Sequence, residues 1–120
     1  VAVPPPPPPR ERAATPVRER SKPVIDVARA RDLLDTLFFT VEPRNARMVL
    51  DSAHHIYSAP GLTASDKAYA AFVVANAFFQ RNDRNDRAMG CEWVRTATVT
   101  APVLDSLRES YRKLLAQCQR

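Results

Sequence analysis

Glycine is nearly absent from this chain: Gly61 and Gly90 are the only two in 120 residues. That scarcity argues against a turn-rich β fold and leaves no material for a glycine-rich phosphate loop. Cysteine is limited to Cys91 and Cys118, which form no C-x-x-C pair and have no local His or Asp to activate a thiol. The sole histidines, His54 and His55, are adjacent. Neighbours on a helix point about 100° apart, so the two do not converge on one metal as an i, i+4 pair does. The longest apolar run, Ala68–Phe79, has 12 residues with Asn76 inside it, against about 20 for a membrane-spanning helix. No pair of carboxylates stands out for acid–base work. The expectation is therefore a protein that is not an enzyme, with no cofactor, no metal and no small-molecule substrate.

What is abundant is proline at one end and helix formers elsewhere. Pro4, Pro5, Pro6, Pro7, Pro8 and Pro9 are consecutive. Each ring fixes φ and removes a donor, so the run reads as a polyproline II rod of roughly 19 Å at about 3.1 Å per residue. Arg10–Lys22 then alternates in charge with almost nothing to bury, so it is not expected to fold alone. Residues 1–22 carry Arg10, Arg12, Arg18, Arg20 and Lys22 against Glu11 and Glu19, a net +3 of the chain's +5. The other 98 residues are nearly balanced, with 13 basic and 11 acidic groups. A nucleic-acid reader usually carries a basic stripe on its folded part, and none is visible here. The chain thus divides into a basic, extended, proline-rich arm, residues 1–22, and a domain, residues 23–120, large enough to bury one core.

From Pro23 onward the apolar residues fall into five helical stripes, which makes the domain all-α with about five antiparallel helices joined by short connections. The first stripe spans about 24–40, with Val27, Ala30, Leu34, Leu37 and Phe38 on one face. The second spans about 43–58, with Ala46, Val49, Leu50, Ala53, Ile56 and Tyr57, and Pro60-Gly61 stops it. The third, about 65–81, opens on Thr63 and Asp66 at capping-box spacing and turns Tyr69, Phe72, Val73, Asn76 and Phe79 inward. The fourth, about 86–98, presents Met89, Trp93, Val94 and Ala97; the fifth, about 103–119, sets Leu104, Leu107, Tyr111, Leu114 and Cys118 on a seven-residue repeat. Trp93 and Ala97 are expected to face the third helix. Helix three has aromatics on more than one side, which leaves Phe38 or Phe78 to face a partner.

Val74–Pro102 resembles a tetratricopeptide repeat. Val74-Ala75-Asn76-Ala77-Phe78-Phe79 is similar to the apolar-small-polar-Ala-aromatic-aromatic end of that family's first helix. Gly90, Ala97 and Pro102 are spaced like the second helix's two small positions and closing proline. Ala71 stands where the family has a large aromatic, and Asn82-Asp83-Arg84, repeated as Asn85-Asp86-Arg87, lengthens the turn. The first helix pair does not follow the pattern. The resemblance implies a tetratricopeptide-like scaffold that binds peptides or proteins.

The loop Asn82–Arg87 reads as exposed rather than as a calcium site, because arginines interrupt its carboxylates and the EF-hand glycine and closing Glu are missing. Cys91 and Cys118 lie at matching heights if helices four and five form a hairpin, so they are either bridged or a pair of core-facing thiols.

The leading expectation is a non-catalytic protein-binding or structural subunit, a membrane-extrinsic clamp or adaptor of a larger bacterial assembly such as a photosynthetic or respiratory membrane complex. Its partners would be other protein subunits, with contact to a membrane surface, and the partner-binding residues are Pro4 to Pro9, Arg10, Arg12, Arg18 and Arg20. A first residue other than methionine is expected from a cleaved secretory signal, a longer parent chain or trimming. With a bridged cysteine pair it points to the bacterial periplasm, with the cytoplasm as the alternative. The competing expectations are a C-terminal sensor or adaptor domain of a bacterial signalling protein, and a nucleic-acid-associated protein using its basic arm.

Overall fold

The structure, a computed structural model, describes residues 26–102 and 104–119. Residues 1–25, and with them every arm position named above, lie outside the described residues, as do Val103 and Arg120. The described residues form five α-helices: α1 Ala30–Thr40, α2 Ala46–Tyr57, α3 Ala64–Arg81, α4 Asp86–Thr100 and α5 Arg108–Cys118. Short 3-10 turns, Val27–Arg29 and Asp105–Leu107, lead into α1 and α5. No strand occurs among the described residues, so the all-α expectation holds.

Local chemistry sets the helix ends where periodicity does not. Asp26 accepts a hydrogen bond from the Ala28 N–H at 3.1 Å, which tightens the entry to α1 into a 3-10 turn. The segment Pro43–Asn45 was expected to be helical. It is a turn instead, because the Asn45 side chain accepts from the Glu42 N–H at 2.8 Å and donates to the Thr40 carbonyl at 3.0 Å. The capping expectation for α3 is met: Thr63 Oγ1 accepts from the Asp66 N–H at 3.1 Å. Helix α4 runs to Thr100 rather than Thr98. Its β-branched end is accommodated by the hydroxyls of Thr96, Thr98 and Thr100, each donating to the carbonyl four residues back.

α3 is the centre of the fold and packs on α4, α2 and α1, while α1 and α2 touch each other less. Residues Ala68 to Ala75, then Ala77 and Phe78, are all buried, which the alanines permit by letting neighbours approach on every side. Leu34, Val49, Val73, Val74 and Val94 are the largest fully buried side chains. They come from α1, α2, α3 and α4.

Contacts along the helices fix their directions. On α1, Arg31 meets Ser65, Asp35 meets Tyr69 and Phe38 meets Phe72, so both sequences climb together and α1 runs parallel to α3. On α5, Tyr111 meets Phe72 while Cys118 is joined to Cys91, so α5 runs parallel to α3 and opposite to α4. Consecutive helices therefore alternate in direction, and α1, α3 and the approach to α5 come to lie side by side.

Three expectations need correcting. Trp93 is turned to α2 rather than α3, with its ring edge-on to Tyr57 at 4.9 Å and to His54 at 5.5 Å. Phe78 is buried and Phe38 is half-buried between Tyr69 and Phe72, so neither faces outward. The outward aromatic is Phe39, 75% exposed. Val27 and Met89, expected on inner faces, are among the exposed large apolar residues.

Candidate binding cleft between α1, α3 and the approach to α5

Arg31, Asp35 and Phe39 fall at i, i+4 and i+8 on α1, one above the other on a single helix face. Across from them, Leu104, Ser106 and Leu107 come from the link between α4 and α5. Tyr69 of α3 forms the floor, and the three elements enclose a cleft of about 270 Å³. Behind the floor, Tyr69, Leu104 and Leu107 continue into a small apolar recess that also touches Phe72, Ala97 and Tyr111.

Arg31, Asp35 and Tyr69 are each tied to structure. Arg31 Nε donates to Asp66 Oδ1 at 2.8 Å and its Nη2 to Ser65 Oγ at 3.2 Å, so the guanidinium clamps α1 onto the first turn of α3. It also lies 5.8 Å from the centre of the Tyr69 ring. Tyr69, itself 3% exposed, donates from its hydroxyl to Asp35 Oδ1 at 2.5 Å. Burial, and then the Asp35 carboxylate, push the phenol's pKa well above its ordinary value. The Tyr69 hydroxyl is thus favoured as the donor, and its hydrogen bond ties the Asp35 carboxylate to the cleft wall. Phe39 at the mouth is supported edge-on by Phe38 at 5.0 Å. The result is a surface with one carboxylate, one guanidinium and an exposed aromatic.

The remaining candidates have structural partners. Cys91 and Cys118 form a disulfide with their Cα atoms 5.6 Å apart. His54 is exposed at the edge of the Trp93 ring. In the α3–α4 turn, Asn82 and Asn85 adopt left-handed φ of 54° and 70°, which Asn tolerates better than most residues. Asp86, read as part of an exposed loop, is 2% exposed. Its carboxylate accepts from Arg81 Nε at 2.9 Å, Arg81 Nη2 at 2.8 Å and the Asp83 N–H at 2.7 Å. Arg81 holds the Asp86 pKa below the usual carboxylate range against the opposing effect of burial. Among the described residues no group of three or more His, Cys, Asp and Glu is placed to hold a metal ion, and no helix is long and apolar enough to cross a membrane.

Sequence reasoning singled out the arm and the cysteines and missed the cleft. The i, i+4, i+8 spacing of Arg31, Asp35 and Phe39 was a usable signal, since it places a charge pair and an aromatic on one line. Compared with protein-family models, curated proteins and solved structures, the chain matches none.

Proposed function

We propose that this protein is a non-catalytic binding subunit whose helical body recognises a protein partner through the cleft between α1, α3 and the approach to α5. The observation that carries this reading is Phe39. A phenylalanine 75% exposed, propped on Phe38 beside a fixed carboxylate, exposes costly apolar surface unless something covers it. In this reading the basic arm lengthens the contact by lying along the same partner or a second one, with Arg10, Arg12, Arg18 and Arg20 pairing with carboxylates or with headgroups at a membrane surface.

Two features support a divergent tetratricopeptide-like scaffold. Gly90 packs so closely under the Phe79 ring that an added Cβ would lie 2.9 Å from it, and Ala97 is buried, so both small positions of the second helix serve close approach. In addition, the α1–α3 pairs Arg31–Ser65 and Asp35–Tyr69 are each 34 residues apart, which matches the roughly 34-residue period of that repeat. The disulfide supports an oxidising compartment such as the bacterial periplasm, where the protein would act as an extrinsic clamp or adaptor on a larger membrane assembly, photosynthetic or respiratory.

The test is quantitative co-purification from the native source with mass spectrometry, comparing the full chain, residues 23–120 and Phe39→Asp. The described core runs from Ala30 to Leu114, so losing residues 1–22 removes none of it. Each change is expected to weaken association at least about tenfold, or roughly 1.4 kcal/mol, at unchanged helix content. Equal recovery of partner by all three proteins refutes the reading.

A further inference from the structure

α5 is the least anchored helix of the fold. Within Arg108–Cys118 only Leu114 is buried, supported by Leu107 in the turn before it and by the half-buried Tyr111 and Leu115. Eleven residues are too few for a helix to persist in water on its own. Among the described residues, its far end is held by the Arg87 guanidinium donating to the Gln117 carbonyl and by the bond from Cys118 to Cys91. The largest fully buried side chains belong to α1–α4, so the rest of the body does not depend on α5 for its centre. The approach to α5 supplies Leu104, Ser106 and Leu107, one wall of the cleft.

We infer that the Cys91–Cys118 bond is a redox latch that keeps α5 in place, and that its reduction releases α5 and removes that wall of the cleft. The release rests on the packing alone; its consequence for partner binding rests on the reading of the cleft given above. The reductant is a dithiol, protein or small molecule. Its thiolate attacks the Cys118 sulfur, which is half-buried where Cys91 is buried; the S–S bond breaks and Cys91 leaves as a thiolate that takes a proton from water. The second thiol of the reductant then displaces Cys118, so the protein gains two electrons and two protons and the dithiol ends as a disulfide. Once α5 lifts, Phe72, Ala97 and Tyr69 lose their cover and the cleft opens into an apolar trough between α3 and α4.

Hydrogen exchange read by mass spectrometry on the full chain tests the latch, comparing the oxidised protein, the same protein with dithiothreitol, and Cys118→Ser without reductant. Amides of Arg108–Cys118 are expected to exchange at least about tenfold faster in the last two, while the interior of α3, Ala70–Ala77, keeps its protection. Two results overturn the latch: an α5 equally protected in the reduced protein, or loss of protection in α1–α4 to the same degree, which makes the bond a staple of the whole fold. A cleft that binds nothing would show itself separately, as no effect of Phe39→Asp on partner recovery in the oxidised chain, and would leave the exchange result standing.

Discussion

Replacing Asp86 tests how a short, charged turn holds the central hairpin. Its carboxylate accepts three hydrogen bonds, two from Arg81 and one from the Asp83 N–H, and so joins the last turn of α3 to the first turn of α4. A net hydrogen bond to a charged group is worth about 1.5–3 kcal/mol. The bonds are not additive here, since Arg81 is 29% exposed and recovers water when its partner is removed. Asp86→Ala should therefore cost about 2–4 kcal/mol, and Asp86→Asn, which keeps the shape and part of the acceptor capacity, about 1–2 kcal/mol. In a domain of this size the alanine variant should melt about 10–20 °C lower, as read by far-ultraviolet circular dichroism. The pH dependence gives the decisive sign. Arg81 lowers the Asp86 pKa in the folded state, so its contribution is complete above the unfolded value of about 3.9 and is lost as pH falls through the lower folded value. The gap between wild type and Asp86→Asn should therefore be widest near neutrality and narrow in acid. A gap below about 0.5 kcal/mol at neutral pH, or one unchanged in acid, would refute the reasoning.

Other substitutions test neighbouring parts of the argument. Ala97→Trp should overpack the α3–α4 hairpin and cost roughly 1–3 kcal/mol or more, and an unchanged melting temperature would mean that Ala97 does not face α3. Gly90→Ala gains about 1 kcal/mol of helix propensity but drives a methyl into the Phe79 ring, so a net loss of about 1 kcal/mol is expected, relieved when Phe79 is also shortened to Leu; denaturant titration of the single and double variants reads both. Tyr69→Phe removes the donor fixed on Asp35 and should cost about 1–2 kcal/mol in the same titration. Reduction of the bridge should lower the far-ultraviolet helix signal by about the 11 residues of Arg108–Cys118 while a cooperative melt of α1–α4 remains. Thiols that titrate freely in the native, unreduced protein would remove both the latch and the argument for an oxidising compartment.

The all-α class was legible because core positions keep helical spacing. Leu34, Val49, Ala53, Ile56, Val94 and Leu114 are buried, each on the stripe that periodicity marked. Spacing put Phe38 on that stripe yet left it a candidate to face a partner, because it does not show what each of two adjacent aromatics meets. Phe38 and Phe39 differ by one helical step, and the outcome is set by Tyr69 and Phe72, which offer a socket to Phe38 alone. The repeated Asn-Asp-Arg makes the same point within six residues. Asp83 and Asp86 have identical neighbours in sequence, yet their side chains are 71% and 3% exposed, because only Asp86 sits at the helix start within reach of both nitrogens of Arg81. Trp93, expected on α3, meets His54 and Tyr57 on α2, an aromatic edge that local pattern does not show.

The cleft was missed for a related reason, and the cause bears on what the fold is. Its polar pairs join residues 34 and 35 positions apart, and at a spacing of 34 the two helices repeat Ala30 as Ala64, Asp32 as Asp66 and Phe38 as Phe72, but not Arg31 or Asp35. Arg31 answers to Ser65 and Asp35 to Tyr69, so the repeat is one of position rather than of residue type. Complementary residues pair where identical ones would repel or leave a donor unmatched: an arginine facing another arginine, or an aspartate facing an aspartate, would destabilise α1 on α3. A structural period can therefore persist while the sequence period is lost at the paired positions, because neighbouring parallel helices that touch through polar side chains favour unlike partners there. On the proposed tetratricopeptide-like reading, the first helix pair departs from that pattern at the positions through which it grips the second. The same pairings leave Phe39, one turn beyond Asp35, without a counterpart to cover it among the described residues.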